Sequence, residues 1–165
     1  MSLHIIEHPL VHDALMELRD VATVPSAFRR AATRISLLMA AEALRSVPTV
    51  VTTVTTPLGP AEGRVVRADI VVVPVLRAGL SMLDAVLQLV PSARVGHIGL
   101  QRNETTAVAS RYYSKLPADI SDSHVLMVDP MLATGGSAAA ALDLVKDAGA
   151  RSISLVCIIS APEGI

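Results

Sequence analysis

One run of residues, 129–137, combines an acid, two hydroxyl side chains and two adjacent glycines directly after an apolar stretch. The acid is Asp129, the hydroxyls belong to Thr134 and Ser137, and the glycines are Gly135 and Gly136. Adjacent glycines allow backbone conformations closed to other residues and let main-chain N–H groups approach a ligand. A helix that begins there points the positive end of its dipole at the same spot, so the run predicts a phosphate site.

Asp129 indicates what the phosphate is attached to. A carboxylate beside a phosphate needs a partner of its own, and it readily accepts hydrogen bonds from sugar hydroxyls. The run therefore predicts a site for a ribose phosphate, although an ordinary strand-turn-helix connection is the alternative. Neither G-x-x-x-x-G-K-[ST] nor G-x-G-x-x-G occurs, which disfavours ATPase and dinucleotide sites. The candidate loop consists of Asp129, Pro130, Met131, Leu132, Ala133, Thr134, Gly135, Gly136 and Ser137.

Two arginines, Arg77 and Arg102, each follow an apolar run that is typical of a strand. Ligands of an open parallel sheet bind beyond the carboxyl ends of its strands, so we expect Arg77, Arg102 and Asp129 at one edge. Guanidinium groups bind phosphate oxygens through charge-assisted hydrogen bonds, and the pair predicts a second anionic group such as a diphosphate. Either arginine alone is explained by a solvated salt bridge; the loop favours the phosphate interpretation.

The elements that must position these residues alternate between strand and helix. Apolar runs and helical periodicity predict strands at 70–75, 94–100, 124–128 and 153–159 and helices at 81–90 and 137–148. This alternation is typical of an α/β fold with an open, mostly parallel sheet and helices on both faces. Residues 101–110 show no apolar period and are predicted to form a mobile loop.

The remaining segments are predicted to be helical at the start and irregular at the end. The pattern predicts a helix over Pro9–Arg19, a strand over Thr49–Thr56 and, weakly, an antiparallel hairpin beyond the turn at 57–60. Ser26 is expected to cap a second helix. The buried face of that helix is predicted to hold Phe28, Ala31, Ala32, Ile35, Leu38 and Met39. Residues 160–163 resemble a capping box that opens another helix.

Composition narrows the class of protein. With 165 residues, 52% hydrophobic and 2% aromatic, the chain favours one aliphatic core and offers little stacking surface for bases. A net charge of −1 disfavours a nucleic-acid or membrane-surface partner. No apolar run approaches the roughly 18 residues of a membrane span, and no signal peptide is visible, so a cytoplasmic location is expected. Cys157 lies in an apolar run and is expected to be a packing thiol.

The histidines do not predict a metal centre. His4, His8 and His12 are four residues apart, but Pro9 is expected to start the helix after His8, so the three do not share a face. No side chain is assigned as a metal ligand. A divalent ion such as Mg²⁺ is expected to arrive with a diphosphate and to keep mostly water and substrate oxygens as ligands.

The run 129–137 resembles the phosphoribosyl diphosphate loop of type I phosphoribosyltransferases, and its form is similar to that of the uracil phosphoribosyltransferase family. The resemblance extends over nearly the whole chain, through 8–11, 28–29, 56–59, 74–80, 102–104, 112–117 and 161–165. Four positions depart from the family's usual residues: Ala41, Ser81, Gln101 and Thr105.

This resemblance implies a single domain over residues 1–165 that transfers ribose 5-phosphate from phosphoribosyl diphosphate (PRPP) to uracil, giving UMP and diphosphate. It implies that Arg77 and Arg102 contact the diphosphate and that the loop holds the ribose and its 5′-phosphate, with Arg77, Arg102 and Asp129 as the catalytic residues. Mg²⁺ carried with PRPP and a homodimer or higher homo-oligomer are also implied. The family's uracil pocket is expected beyond Ile165. A catalytically incompetent PRPP sensor or a structural fragment is the alternative.

Overall fold

The computed structural model describes residues 2–102 and 109–165. The helices of this part are α1 (Pro9–Arg19), α2 (Pro25–Ala43), α3 (Leu80–Leu89) and α4 (Gly136–Asp147), with a 3₁₀ turn at Pro162–Gly164. The strands are β1 (Thr49–Thr56), β2 (Gly59–Val66), β3 (Ile70–Leu76), β4 (Arg94–Val95), β5 (His97–Arg102), β6 (Ala109–Lys115), β7 (His124–Val128), β8 (Met131–Leu132), β9 (Ser152–Val156) and β10 (Ile159–Ser160).

The central sheet has the strand order β6-β5-β3-β7-β9, with the short β4 also paired to β3. Strands β5, β3, β7 and β9 run parallel, and β6 is antiparallel to β5. Strands β1 and β2 form a separate antiparallel hairpin. The predicted α/β fold with a mostly parallel sheet is confirmed, as are the bounds of α1, β1 and β7.

The core lies on both faces of this sheet, because successive side chains of a buried strand point to opposite sides. Val71 and Val73 of β3 pack in one buried cluster with Val145 of α4. Val72 of the same strand packs in a second cluster with Met82 of α3. The helices thus cover both faces, as the sequence predicts, and the central strand β3 is apolar throughout.

The start of α2 differs from the prediction. Ser26 does not cap the helix, because Pro25 already occupies its first turn, where the missing N–H is no loss. The N-cap is Val24, which provides no side-chain hydrogen bond. The predicted buried face is correct for Ala31, Ala32 and Ile35, whereas Leu38 and Met39 are only half-buried. It is wrong for Phe28, whose side chain is 47% exposed.

The predicted strand at 94–100 is divided into β4 and β5 at Gly96. A Cβ at Gly96 would lie 2.8 Å from Leu116 Cδ2, because the segment after β6 packs closely against this residue. The Gly96 N–H still donates to the carbonyl of Val72, at 2.9 Å, which keeps both pieces beside β3.

The loop prediction for 101–110 is wrong at both ends. Gln101 and Arg102 belong to β5, and Ala109 and Ser110 belong to β6. The two strands pair in antiparallel register, a long-range contact that local sequence does not show. The predicted mobility concerns residues 103–108, which lie outside the described part of the chain.

The last predicted strand and helix also differ. β9 ends at Val156 rather than 159, because the chain crosses over to pair β10 with β8. The capping box at 160–163 does not form: the turn at Pro162–Gly164 is 3₁₀, and its N-cap Ala161 makes no side-chain hydrogen bond. Within residues 2–102 and 109–165, none of the helices has the length and apolarity needed to cross a bilayer.

His124, at the start of β7, makes the fold sensitive to acid. Its Nδ1 lies 2.7 Å from Ser152 Oγ and its Nε2 lies 3.3 Å from Ser154 Oγ. Burial lowers the pKa of His124 in the folded chain, so the unfolded chain binds the proton more tightly. The stabilisation is complete above the ordinary histidine pKa of about 6.5 and is lost as the pH falls through and below it.

We therefore expect the Tm to fall between pH 7.5 and pH 5, and His124→Gln to reduce this fall. Thermal unfolding followed by circular dichroism at a series of pH values measures both. His12→Gln, which changes an exposed histidine of α1, is the control and should leave the wild-type dependence intact. A His124→Gln variant with an undiminished fall would contradict the assignment.

Candidate active site

The carboxyl ends of β5, β3 and β7 lie side by side, because these three strands are neighbours in a parallel register. Arg77 follows β3 and Asp129 follows β7, while Arg102 is the last residue of β5. The structure thus brings the backbones of all three predicted residues to one edge of the sheet. The guanidinium of Arg102 lies outside the described part of the structure.

The turn that presents Arg77 is held tightly against the neighbouring strand. The Gly79 N–H donates to the carbonyl of Val75 at 2.9 Å, and a Cβ on Gly79 would lie 2.4 Å from the carbonyl oxygen of Val128. The carbonyl oxygen of Val128 is a backbone atom that cannot move aside, so position 79 requires glycine. The peptide bond between Leu76 and Arg77 is cis. Close approach of the turn to the end of β7 sets Arg77 beside the loop that begins at Asp129.

A cleft of about 880 Å³ opens beside Arg77. It is lined by Leu76, Arg77, Ala78, Ser81, Leu100, Gln101 and Tyr112. Tyr112 reaches it across the antiparallel pair of β5 and β6: a Cβ on Gly99 would lie 2.6 Å from the Tyr112 ring. Glycine at position 99 therefore makes room for the aromatic ring as a wall of the cleft.

Sequence reasoning did not assign Ser81, Gln101 or Tyr112 to the site. Ser81 and Gln101 stand out in the sequence only as departures from the family's usual residues. Tyr112 lies in the segment Tyr112-Tyr113, whose aromatic residues favour a strand. Recognising it as a cleft residue requires the pairing of β6 with β5.

The loop after β7 has the geometry of an anion site. Gly135 has φ of +77°, a left-handed conformation that favours glycine, and it is the N-cap of α4. Because glycine has no side chain, the first turn of α4 receives no capping hydrogen bond from this residue. The amide dipoles of the 12-residue helix α4 align toward this end and favour a negative charge there.

Asp129 is partly withdrawn from water at the start of the loop. Burial raises the pKa of the Asp129 carboxyl, and a hydrogen bond from the Met131 N–H, at 3.4 Å from Oδ1, opposes that rise. The backbone N–H of Asp129 donates to the carbonyl of Val156 at 3.1 Å, which fixes the residue to β9. A half-buried carboxylate with few internal donors can accept hydrogen bonds from a ligand's hydroxyl groups.

The other chemically interesting side chains do not add to this site. Cys157 is partly buried, and burial together with the nearby Asp129 raises the pKa of its thiol to about 12. Such a thiol stays protonated and is a poor nucleophile. His8 caps α1 by accepting from the Leu10 N–H at 3.1 Å, and His12 pairs with Glu7 at 2.9 Å.

An open parallel sheet with this loop and this arginine-bearing turn at its carboxyl edge defines a type I phosphoribosyltransferase fold. A solved purine phosphoribosyltransferase from Pyrococcus horikoshii is similar in fold alone, with a TM-score of 0.59 and 17% identity over 80% of this chain and 74% of that one. The AQ2163 protein of Aquifex aeolicus is more similar, with a TM-score of 0.90 and 36% identity over 96% of this chain and 76% of that one.

Sequence comparison gives the particular family. The profile described as uracil phosphoribosyltransferase matches residues 5–165. The uracil phosphoribosyltransferase of Dictyoglomus turgidum is 51% identical over 98% of this chain and 78% of its own length. That of Thermus thermophilus is 46% identical over 100% of this chain and 80% of its own length. The chain belongs to the uracil phosphoribosyltransferase family.

Proposed function

We propose that this protein transfers ribose 5-phosphate from PRPP to uracil, giving UMP and diphosphate. A ring nitrogen of uracil forms a bond to C1 of the ribose as the bond from C1 to the diphosphate oxygen breaks, and the proton of that nitrogen passes to water. The observation that supports this most is the meeting of the Arg77 turn, Asp129 and the Gly135 loop at one sheet edge. Family membership agrees with it.

Each residue has a role that follows from its chemistry. The loop 129–137 and the first turn of α4 bind the 5′-phosphate through backbone N–H groups and the helix dipole. Asp129 accepts hydrogen bonds from the ribose hydroxyls. Arg77 and Arg102 bind the diphosphate and stabilise the negative charge that develops on it as C1 acquires oxocarbenium character. No side chain needs to act as a nucleophile.

The residues present fit a magnesium ion that is carried by the substrate. Among residues 2–102 and 109–165, no group of three or more His, Cys, Asp and Glu side chains could hold a metal ion. Asp129 is one carboxylate on the sheet edge that also holds Arg77, and Mg²⁺ readily keeps water and phosphate oxygens as its other ligands. When bound, Mg²⁺ would neutralise charge on the leaving diphosphate.

The test is a coupled assay of diphosphate release from PRPP in the presence of Mg²⁺. Release that requires uracil, and that cytosine does not replace, is expected. Binding of PRPP in titration calorimetry without uracil-dependent release would instead indicate a PRPP sensor. Neither binding nor release would indicate a structural fragment. The substrate carries phosphates that do not cross a bilayer unaided, so we also propose a cytoplasmic location.

We further propose that the protein is a homodimer or higher homo-oligomer that associates through the hairpin of β1 and β2. One face of the hairpin holds Val50, Val54, Ala61 and Val65, with Val50 opposite Val65 and Val54 opposite Ala61. Val54 is 53% exposed. Glu62 and Arg64 lie on the other face. An exposed apolar sheet face without charges favours association with another copy.

Val54→Asp is expected to shift the protein toward monomer by placing an unpaired charge in the apolar contact. Sedimentation velocity over a range of protein concentrations measures the shift. The control is Thr55→Asp, which adds the same charge to the adjacent residue, opposite Pro60 on the face that already holds Glu62 and Arg64. Equal sedimentation of wild type and Val54→Asp, or equal effects of both variants, would contradict the interface.

A further inference from the structure

Residues 158–164, which we call the strap, run along the candidate phosphate loop and bond to its backbone. The N–H groups of Ile158 and Ile159 both lie 3.1 Å from the carbonyl oxygen of Pro130. The N–H of Ala161 donates to the carbonyl of Leu132 at 2.8 Å. Within the strap, β10 pairs in parallel with β8 of the loop. The strap therefore provides hydrogen-bond donors to two carbonyl groups of the loop, those of Pro130 and Leu132.

Gly164 brings the end of the strap into closer contact with the loop than any other residue type would allow. A Cβ on Gly164 would lie 2.5 Å from the carbonyl oxygen of Ala133 and 3.0 Å from Leu132 Cγ. From the other side, a Cβ on Gly135 would lie 3.2 Å from the carbonyl oxygen of Gly164. The atom nearest to each of these Cβ positions is a backbone carbonyl oxygen, which cannot move aside as a flexible side chain could.

This packing has a consequence for the loop's N–H groups. In a trans peptide the N–H points opposite to the C=O of the same plane, so holding the carbonyl fixes the direction of the N–H. The strap holds the carbonyl of Leu132, and the N–H in that peptide plane belongs to Ala133. The Ala133 N–H therefore points away from the strap. Orientation of backbone N–H groups before a ligand arrives is what a phosphate loop requires.

We propose that the strap is a positioning element for 5′-phosphate binding, with Gly164 and Ala161 as its positioning residues. The proposal rests on the function proposed above, because it assigns the loop to the 5′-phosphate. The strap contacts the ligand at no point; it acts by fixing the loop backbone. The diphosphate end of the site, at the Arg77 turn, lies between β3 and α3 rather than in the strap.

Gly164→Ala tests the proposal, with ribose 5-phosphate and inorganic diphosphate as separate probes in titration calorimetry. The variant is expected to bind ribose 5-phosphate and PRPP about tenfold more weakly, equivalent to one or two backbone hydrogen bonds lost. Its affinity for diphosphate should stay at the wild-type value. A merely structural defect would weaken both probes. Ser92→Ala is the control, because Ser92 is exposed in the turn between α3 and β4, away from the strap and the loop.

Ala161→Pro provides a second variant if Gly164→Ala does not fold. Ala161 has φ of −83° and ψ of 151°, values that proline accepts, and the substitution removes the N–H that bonds to Leu132. It should give the same selective loss of ribose 5-phosphate affinity. Wild-type affinity in either folded variant overturns the strap's role alone. A wild-type chain that binds no PRPP overturns the proposed function and the strap's role with it.

Discussion

Arg77→Ala is expected to lower kcat/KM for PRPP by about 10³-fold. The residue follows β3, lines the cleft of about 880 Å³ and lies on the edge of the sheet that holds Asp129. Charge-assisted hydrogen bonds contribute roughly 1.5 to 3 kcal/mol each, so the loss of two such bonds to the departing diphosphate accounts for a fall of this size. Steady-state kinetics and PRPP titration measure it.

Two further variants separate the role of Arg77 from a general effect of charge. Arg151→Ala removes an arginine that is 80% exposed just before β9, at the opposite edge of the sheet, and should leave kcat/KM unchanged. Arg77→Lys keeps the charge but not the planar fork of donors, so an intermediate value is expected. Full activity of Arg77→Ala would show that the diphosphate binds elsewhere.

The parts of the fold that sequence predicts well are those that local patterns determine. β3 and β7 are buried on both faces, and a strand in that position is an uninterrupted apolar run. α1 begins at Pro9, whose missing N–H and fixed φ suit a first turn. Arg77 and Asp129 could be assigned to one edge because parallel strands place their carboxyl ends together.

The parts that sequence misses depend on contacts between distant segments. β6 is an edge strand with exposed polar residues, and only its pairing with β5 shows that Tyr112 borders the cleft. The strand expected to continue to residue 159 ends at Val156, since the chain leaves the sheet to pair with β8. For the same reason, the apparent capping box at 160–163 marks a strap along the loop rather than a new helix.

Asp129→Asn is expected to weaken PRPP binding about 10²-fold while making the folded chain more stable. In the proposed function the carboxylate accepts hydrogen bonds from the ribose hydroxyls, and an amide offers one acceptor where the carboxylate offers two. Two weakened bonds to a charged group account for a change of this size. The stability gain has a separate cause: burial raises the pKa of Asp129, so the charged form is unfavourable in the folded state.

The direction of the stability change follows from the pKa shift of Asp129. Because the folded pKa of Asp129 lies above the unfolded value, the folded chain binds the proton more tightly, and this group's contribution to stability rises as the pH falls through the folded pKa. At pH 7.5 the Tm of Asp129→Asn should therefore exceed that of wild type, and the difference should shrink in acid as wild type becomes protonated. Asp122→Asn, at a side chain 92% exposed, is the control and should change neither Tm nor affinity. If Asp129→Asn loses both PRPP affinity and stability, Asp129 holds the loop in place. If affinity falls while the Tm rises, the charge of Asp129 serves to bind the ribose and lowers the stability of the folded chain.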